Sequence, residues 1–584
     1  MPVQPLPVDV AVADPRHVGV TVSPDGRRWA YLAPVDGVMN LWVGELDGEA
    51  KPITALTGRG LSPPGPVTPG YRWTYDSRHL VYFLDGDGDE NWIPHAVDCE
   101  TGETRRLVDL EGVSCRVLKA VPSRPTQLLL SVNGRDPRFH DAHLVDIETG
   151  ASGFVFENPG FTQVVADDDL AVRAGVEVAP DGTATVVVRD GTSDGWRPVL
   201  STTGATAMTT ELLRFSAEGA TLYVLTSHGS DRLRPLAIDV RTGAAEALPE
   251  DERYDAEGLV VHPTTGALQW IEVFRERRGR ILLDARLAPT FARLEQVAAG
   301  GDVSVVSRDL ADRLWVVAVV RDDGPVGYHL HDRGTGDTRL LCRQRDDLDG
   351  YTLGHMDAFR FDARDGVEIE GYLTLPPDTE PVDLPAVLVV HGGPTYRDFW
   401  GFNALGQVFA TRGYAVIHVN YRGSLGYGQA FVSLGDREWA AAMHTDLLDA
   451  VDHLAAAGTI DRDRVAITGG SYGGYAALVG ATFTPTDFRC AASIYGPANL
   501  LTLIKSFPPY WGPSMAYWHQ RIGNPETEPD FMWSRSPLSR AADVQRPLLI
   551  VQTANDPRVT RAEAEQMVAA LEENGIEHEY LLIE

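Results

Sequence analysis

Short apolar runs separated by turns dominate the first 350 residues of the chain. Runs such as "RWAYLAP", "HLVYFLDG" and "ATVVVRDG" are rich in β-branched and aromatic residues, and turns that contain Asp and Gly bound them. Runs of this length and composition are typical of antiparallel strands rather than helices. The pattern therefore predicts that this part of the chain is all-β.

A second regularity in the same region is an aspartate that closes a strand at nearly constant intervals. The successive spacings are 51, 48, 44, 49, 45 and 48 residues, for Asp47, Asp98, Asp146, Asp190, Asp239, Asp284 and Asp332. Four short antiparallel strands fill a unit of this length, which is the size of one propeller blade. The repeat predicts a seven-bladed β-propeller over about residues 14–350. The copies at Asp190 and Asp284 are weaker, so six or eight blades are the alternatives.

From about residue 355 onward, continuous apolar runs alternate with helical stretches. "PAVLVV", "YAVIHVN", "RVAITG", "RPLLIVQ" and "EYLLI" are predicted strands, and "TDLLDAVDHLAAAG" places Leu447, Val451 and Leu454 on one helical face. This alternation is typical of a mostly parallel sheet covered by helices on both faces. We therefore predict an α/β domain over residues 355–584, with its ligand crevice at the carboxyl ends of the strands. Residues 1–13 are a candidate to pack against this domain.

Composition excludes some partners and favours a cytoplasmic location. The chain of 584 residues has a net charge of −31, which argues against nucleic acid and anionic membranes as partners. The four cysteines form no CxxC pair and no zinc-like cluster, so no metal or cofactor is expected. The first residues lack the features of a signal peptide, and no run of 18 apolar residues occurs. Oligomeric state cannot be read from the sequence, so a homo-oligomer stays open.

The stretch "VAITGGSYGGYAAL" contains the strongest chemical signal. A strand ends directly before residues 469–474, "GGSYGG", and a helix begins directly after them. This is the context that a G-x-S-x-G nucleophile elbow requires, because the sharp turn lifts the serine hydroxyl above the sheet. Ser471 is therefore the candidate nucleophile.

A serine nucleophile needs a base, an orienting carboxylate and an oxyanion hole. Asp556 follows the predicted strand "RPLLIVQ" and is the candidate carboxylate, since this fold class uses the order Ser, Asp, His. The backbone N–H groups of Tyr472 and of Gly393, in "HGGP", are the candidate oxyanion donors. His391 precedes the serine in the chain, so it is interpreted as a residue that braces its loop, and a role as the base is the alternative.

Arg422 is a further candidate. It lies in "NYRGS" near the carboxyl end of a predicted strand, where it could bind a substrate carbonyl or carboxylate. A surface salt bridge is the alternative role.

Together these motifs resemble the prolyl oligopeptidase family of serine peptidases, in particular its acylaminoacyl-peptidase and dipeptidyl-aminopeptidase-like branch. The resemblance rests on "HGGPTYRDFW", "NYRGSLGYGQAF", "GGSYGGYAAL", "YGPANLLTLIKSFPPYW" and "NDPRV", and more weakly on "GDGDENW" in the N-terminal half. It implies a propeller that caps an α/β-hydrolase domain and short peptides as substrates. It also implies catalytic roles for Ser471, Asp556, Tyr472 and Gly393.

The resemblance implies a catalytic histidine shortly after the last strand, and this sequence reaches Glu584 directly after "EYLLI". We therefore expect the histidine to lie beyond residue 584, so that the α/β domain is incomplete at its C-terminus and the 584-residue chain lacks its base. A natural pseudoenzyme is the alternative. The leading prediction is a serine peptidase that acts on short peptides from their N-terminal end. An esterase of the same fold and a non-catalytic propeller that binds a partner are the competing functions.

Overall fold

The computed structural model describes residues 4–63, 70–86, 88–192 and 195–584. Residues 1–3 of the N-terminal segment and Asp87 of "GDGDENW" lie outside the described residues. The described chain contains seven small sheets followed by one sheet of eight strands.

The seven small sheets are antiparallel and follow one another along the chain. Six have four strands and the sixth in chain order has three. Their strands are β1 (Val18–Val22), β2 (Arg28–Val35), β3 (Val38–Glu45) and β4 (Ala50–Pro52); β5 (Tyr71–Trp73), β6 (His79–Leu84), β7 (Ile93–Asp98) and β8 (Thr104–Arg106); β9 (Cys115–Ala120), β10 (Gln127–Asp136), β11 (Phe139–Asp146) and β12 (Ser152–Phe156); β13 (Gln163–Ala166), β14 (Val172–Val178), β15 (Ala184–Val188) and β16 (Arg197–Thr202); β17 (Glu211–Phe215), β18 (Thr221–Thr226), β19 (Arg234–Asp239) and β20 (Ala245–Ala247); β21 (Ala256–Val261), β22 (Leu268–Phe274) and β23 (Arg278–Leu282); and β24 (Asp302–Arg308), β25 (Leu314–Val320), β26 (Gly327–Asp332) and β27 (Thr338–Arg343).

Each of the seven repeated aspartates lies at the turn after the third strand of its blade. There the side chain holds the turn: Asp146 accepts from the Thr149 amide at 2.9 Å, and Asp239 accepts from the Thr242 amide at 2.7 Å. The weak copy at Asp284 marks the three-stranded blade, where a short 3-10 helix and an α-helix follow in place of a fourth strand. The prediction of a seven-bladed propeller is confirmed.

The first and seventh blades close the ring through packed side chains and backbone hydrogen bonds such as that from the Leu310 amide to the Pro24 carbonyl at 2.8 Å, and the described strands of the two blades form separate sheets. Val20 and Val22 of β1 belong to one apolar cluster with Val316 and Ala318 of β25. Beside this cluster, Ser307 Oγ accepts from the Val22 amide at 3.1 Å. Closure therefore depends on the hydrophobic packing of two complete blades, each built from its own end of the propeller segment.

Three α-helices occur before the large sheet in the part of the chain that the structure describes. They are α1 (Val8–Val12), α2 (Gly204–Thr209) and α3 (Ala288–Ala298). The segment before α1 contacts the α/β domain, because the Leu6 amide donates to Thr411 Oγ1 at 3.0 Å and Leu6 is buried.

The C-terminal part forms one eight-stranded sheet, mostly parallel, with helices between its strands. Its strands are β28 (Met356–Asp362), β29 (Glu368–Thr374), β30 (Leu384–Val390), β31 (Ala415–Asn420), β32 (Ile460–Gly470), β33 (Ala491–Ile494), β34 (Leu548–Thr553) and β35 (Glu579–Ile583), in the order β28-β29-β31-β30-β32-β33-β34-β35. The helices are α4 (Ala404–Ala410), α5 (Gln429–Ser433), α6 (Ala442–Ala456), α7 (Tyr472–Thr482), α8 (Leu500–Lys505), α9 (Met515–Ile522), α10 (Pro529–Ser534) and α11 (Arg561–Glu573). This is the predicted α/β-hydrolase architecture.

The predicted strand "EYLLI" is β35, which forms one edge of this sheet and pairs in parallel with β34. Its register brings Ile583 opposite Thr553, so the strand ends beside the loop that contains Asp556. Leu581 and Ile583 remain about half exposed on this edge. Among the described helices, none has the length and apolar character needed to cross a membrane.

Candidate active site

The nucleophile elbow is built by a strand that runs directly into a helix. Ser471 is the single residue between β32 and α7, and its φ of 57° and ψ of −120° place it in a conformation that non-glycine residues rarely adopt. A Cβ on Gly473 would lie 2.0 Å from the Val390 carbonyl oxygen, and one on Gly469 would lie 2.3 Å from the same atom. The glycines are therefore required because the turn presses against the backbone of β30.

The loop after β30 approaches the serine closely. A Cβ placed on Gly392 would lie 3.4 Å from Ser471 Cβ and 4.0 Å from Ser471 Oγ. Within the described chain, the backbone N–H groups of Gly393 and Tyr472 donate to no acceptor. Two unpaired amide donors, one beside Gly392 and one next to the serine, therefore lie close to the hydroxyl. These are the two donors that the sequence nominates for an oxyanion hole.

His391 is engaged within its own loop. It is buried and stacks on Tyr421 with ring centroids 4.4 Å apart. Its Nδ1 lies 2.8 Å from the Gly392 carbonyl oxygen, and its Nε2 lies 2.9 Å from Ser424 Oγ. Burial lowers the pKa of His391, so the ring is neutral. Because both nitrogens have partners, the ring is arranged to brace the loop and has no nitrogen left for Ser471.

Asp556 lies on the same rim of the sheet as Ser471. The Ser471 amide donates to the carbonyl of Ile494 in β33 at 3.0 Å. The amide of Tyr495, the residue after Ile494, donates to the carbonyl of Val551 in β34 at 2.7 Å. The carboxyl ends of β32, β33 and β34 are thus adjacent. Asp556 follows β34, and its Oδ1 accepts from the amides of Arg558 at 2.8 Å and Val559 at 3.0 Å.

The histidines of the described chain stand apart from both residues: none of them hydrogen-bonds to Ser471 or Asp556. A cleft of about 350 Å³ opens beside Asp556, between its loop and the end of β35, and Glu90 of the propeller also lines it. The structure brings the serine, the carboxylate and the two amide donors to one rim, and it leaves open space at the carboxylate.

The propeller covers this rim through contacts that sequence analysis did not find. Glu90 forms a salt bridge with Arg558 at 2.5 Å, two residues beyond Asp556, and accepts from Tyr510 at 3.3 Å. Glu90 could be named from "GDGDENW", but no local pattern pairs it with a residue 468 positions later. The rim beside Asp556 is therefore in direct contact with the propeller.

Arg422 takes neither of the two roles considered for it. It is buried, and it forms bonds of 2.7–3.0 Å with both Asp446 and Asp365. These hydrogen bonds, first of all the one to Asp446, raise its pKa. The guanidinium is thus held inside the α/β domain by two carboxylates, which balance its charge there.

One group of side chains among the described residues has metal-like spacing. It consists of Asp322, Asp323 and His355. Asp323 is ion-paired with Arg321 at 2.9 Å, and Asp322 accepts from the Met356 amide at 2.8 Å. Both carboxylates are thus already satisfied by protein donors.

Comparison with known proteins agrees with this geometry. The sequence profile described as the prolyl oligopeptidase family matches residues 400–584. Dipeptidyl aminopeptidase BIII of Pseudoxanthomonas mexicana is 36% identical over 98% of this chain and 84% of its own length. Dipeptidyl peptidase family member 6 of Caenorhabditis elegans is 29% identical over 99% of this chain and 82% of its own length.

Solved structures share the fold across the whole chain. A puromycin-hydrolyzing peptidase of Mycobacterium tuberculosis superposes with a TM-score of 0.78 at 21% identity, covering 100% of this chain and 93% of its own. The acylaminoacyl peptidase of Pyrococcus horikoshii gives a TM-score of 0.71 at 17% identity, with 100% and 93% covered. With a full-length relative at 36% identity and a seven-bladed propeller on an α/β-hydrolase domain, this chain belongs to the prolyl oligopeptidase family of serine peptidases.

Proposed function

We propose that Ser471 is the nucleophile of a peptidase that cleaves short peptides, with Asp556 as the orienting carboxylate and Gly393 and Tyr472 as oxyanion donors. The observation that carries the proposal is the strained Ser471, at φ 57°, beside two amides that donate to nothing else. Strain and unpaired donors each cost stability, so their coincidence at one hydroxyl favours a catalytic role.

The arrangement suits acyl transfer. Ser471 Oγ attacks the carbonyl carbon of the scissile bond while its proton passes to a base, and the carbonyl oxygen becomes an anion. The Gly393 and Tyr472 amides stabilise that anion, and the base then gives its proton to the departing amine. Water attacks the resulting ester by the same route, which releases the acid product and restores the serine.

The base is proposed to be a histidine outside residues 1–584. His391 has both ring nitrogens engaged in its loop, and the described histidines do not contact Ser471 or Asp556. Asp556 lines the cleft between its loop and the end of β35, which supports a histidine that approaches the carboxylate from this side. The function of Asp556 in this arrangement is to hold the ring in the tautomer that accepts the serine proton.

Short peptides with an accessible N-terminus are the proposed substrates. The propeller contacts the rim beside Asp556 through the Glu90–Arg558 salt bridge, which supports an active site to which the propeller limits access. The relative that matches 98% of this chain is named a dipeptidyl aminopeptidase, and structural neighbours include acylaminoacyl peptidases. We infer release of a dipeptide or of an acylated residue from the N-terminal end.

Turnover of a dipeptidyl nitroanilide tests the catalytic assignment. The 584-residue chain is compared with a form extended past Glu584 that supplies the histidine. Loss of the base costs on the order of 10⁶ in kcat, so only the extended form should be active, and Ser471→Ala should abolish its activity. Equal rates for the two forms would make a histidine within the chain the base, with His391 the first to be tested. The activity experiments below use the extended, active form.

The substrate class is tested with matched compounds. A dipeptidyl nitroanilide with a free amine, an N-acetyl-aminoacyl nitroanilide and an acyl nitrophenyl ester are compared by kcat/KM. The serine could attack the carbonyl of an amide or of an ester. Turnover of the ester without turnover of either nitroanilide would therefore identify an esterase. Preference for the free or the acetylated peptide decides between dipeptidyl and acylaminoacyl specificity.

A further inference from the structure

The loop that contains Gly393 is fastened to the propeller by one buried arginine. Arg397 is 3% exposed, and its Nη1 donates to the Phe274 carbonyl at 3.0 Å. Its Nη2 donates to the Arg275 carbonyl at 3.2 Å. Both acceptors lie at the end of β22, in the turn that leads to β23 of the sixth blade. A side chain four residues after Gly393 is thus bonded to the backbone of the other domain.

The charge of Arg397 is balanced inside the interface. Glu370 of β29 lies 3.6 Å away, and it accepts from Tyr427 at 2.9 Å and from Tyr254 of the propeller at 2.8 Å. Tyr427 also accepts from Arg397 at 2.9 Å. A buried charge needs such partners, and the rigid planar fork of arginine presents donors on separate nitrogens, a geometry that the single ammonium nitrogen of lysine does not reproduce. The cluster therefore holds the guanidinium in one place.

The same cluster holds the residue after Arg397. The Asp398 amide donates to Asn420 at 2.7 Å, and Asn420 donates to Tyr427 at 2.6 Å. On the N-terminal side of Arg397, the Tyr396 amide donates to the Pro394 carbonyl at 2.9 Å. This tight turn restricts the backbone between Arg397 and Gly393. Little free chain thus separates the fixed guanidinium from the amide proposed to bind the oxyanion.

We propose that Arg397 is a positioning residue for the oxyanion hole, which places the Gly393 amide by anchoring its loop to two carbonyl groups of the propeller. The proposal rests on the oxyanion role proposed for Gly393. It assigns the propeller a part in the chemical step, since the loop keeps its catalytic position only while the sixth blade is docked. Displacing a catalytic group by about 1 Å can cost on the order of 100-fold in rate.

The test compares Arg397→Gln and Arg397→Lys with a matched variant, Arg253→Gln. Arg253 also joins the propeller to the α/β domain, through Glu368, but it does not contact the loop. The readouts are kcat and KM for a dipeptidyl nitroanilide, and the inhibition constant of a peptidyl trifluoromethyl ketone. That ketone forms a hemiketal with the serine and places its oxyanion in the hole. Active serine is counted by fluorophosphonate labelling.

We expect Arg397→Gln to lower kcat by about 10- to 100-fold and to weaken the ketone by a similar factor, with KM within about twofold. The kcat and ketone affinity of Arg397→Lys should lie between those of Arg397→Gln and the wild type. If Arg397→Gln does not fold, the values for Arg397→Lys decide the question. Arg253→Gln should match the wild type. Unchanged kcat and ketone affinity in the Arg397 variants, a change in KM alone, or an equal loss in Arg253→Gln would overturn the proposal.

Ser471→Ala separates this inference from the function beneath it. An inactive Ser471→Ala enzyme together with fully active Arg397 variants refutes the positioning role alone. An active Ser471→Ala enzyme refutes the proposed function and the positioning role with it.

Discussion

The nucleophile elbow and the oxyanion loop face each other across a few ångströms but are held in place by different means. The elbow is positioned by its immediate surroundings, because Gly469 and Gly473 press against the backbone of the adjacent strand at Val390. The loop from His391 to Trp400 is positioned by distant partners, namely the propeller through Arg397 and Tyr517 through Thr395.

This difference separates stability from rate. A change in the elbow forces apart a strand and a helix in the middle of the sheet, so it should act first on folding. A change in the loop leaves the sheet intact and moves only a donor, so it should act first on kcat. Variants of the two regions should therefore separate when unfolding and turnover are both measured.

The largest expected effect is that of Gly473→Ala. Its Cβ would overlap the Val390 carbonyl oxygen, at 2.0 Å, and the backbone there cannot yield without displacing β30. We expect the free energy of unfolding of the α/β domain to fall by about 3 kcal/mol or more, as urea denaturation would show. Ala477→Gly in the same helix should cost only about 1 kcal/mol. If Gly473→Ala denatures with the wild-type midpoint, the elbow is looser than the structure indicates.

Gly392→Ala should lower kcat while leaving the free energy of unfolding nearly unchanged, the opposite of Gly473→Ala. Its Cβ would lie 3.1 Å from the Gly470 carbonyl oxygen and 4.0 Å from Ser471 Oγ, so the loop must shift away from the serine. We expect kcat to fall by about 100-fold, with stability within about 1 kcal/mol of the wild type. Gly153→Ala, on an open outer strand, is the matched control and should change neither quantity. A large loss of stability in Gly392→Ala would erase the distinction between the two regions.

Tyr517→Phe removes a single tether from the loop. The Tyr517 hydroxyl donates to Thr395 Oγ1 at 3.0 Å, and Thr395 lies two residues after Gly393. One hydrogen bond of this kind is worth about 0.5–1.5 kcal/mol, so kcat/KM should fall by about 2- to 10-fold. Tyr414→Phe, at an exposed site, serves as the control. A loss above 100-fold would mean that this tether, rather than Arg397, governs the loop.

The smallest effect concerns the pH dependence of His391. Burial lowers its pKa, so the folded loop keeps the ring neutral while the unfolded chain takes up a proton below about pH 6.5. The unfolded state then binds more protons, and stability falls as the pH falls, by at most about 1.4 kcal/mol per pH unit. His391→Gln should lose this part of the slope between pH 7 and pH 5.5 in urea denaturation. Identical slopes for the two proteins would mean that the ring is protonated in the folded state.

The sequence was most informative where structure follows from short-range chemistry. The aspartate repeat marks seven turns because an aspartate can accept from the amides that follow it, as Asp146 and Asp239 do. The repeat could not show that α3 replaces a strand after Asp284, since the turn is the same whatever element follows it. The roles predicted for Ser471, Asp556, Gly393 and Tyr472 stay predictions that turnover measurements must test.

By itself the sequence determined the propeller, the α/β sheet and the elbow, because turn aspartates, apolar runs and glycine sterics each act over a few residues. Only the tertiary structure decided which partners hold the site. It buried Arg422 between two carboxylates, paired Glu90 with Arg558, and placed Arg397 on the carbonyl groups of Phe274 and Arg275. The Glu90 and Arg397 pairs join residues more than a hundred positions apart and depend on how the two domains dock. The partners of Arg422 lie 24 and 57 positions away within one domain, and no local pattern along the chain encodes either kind of pair.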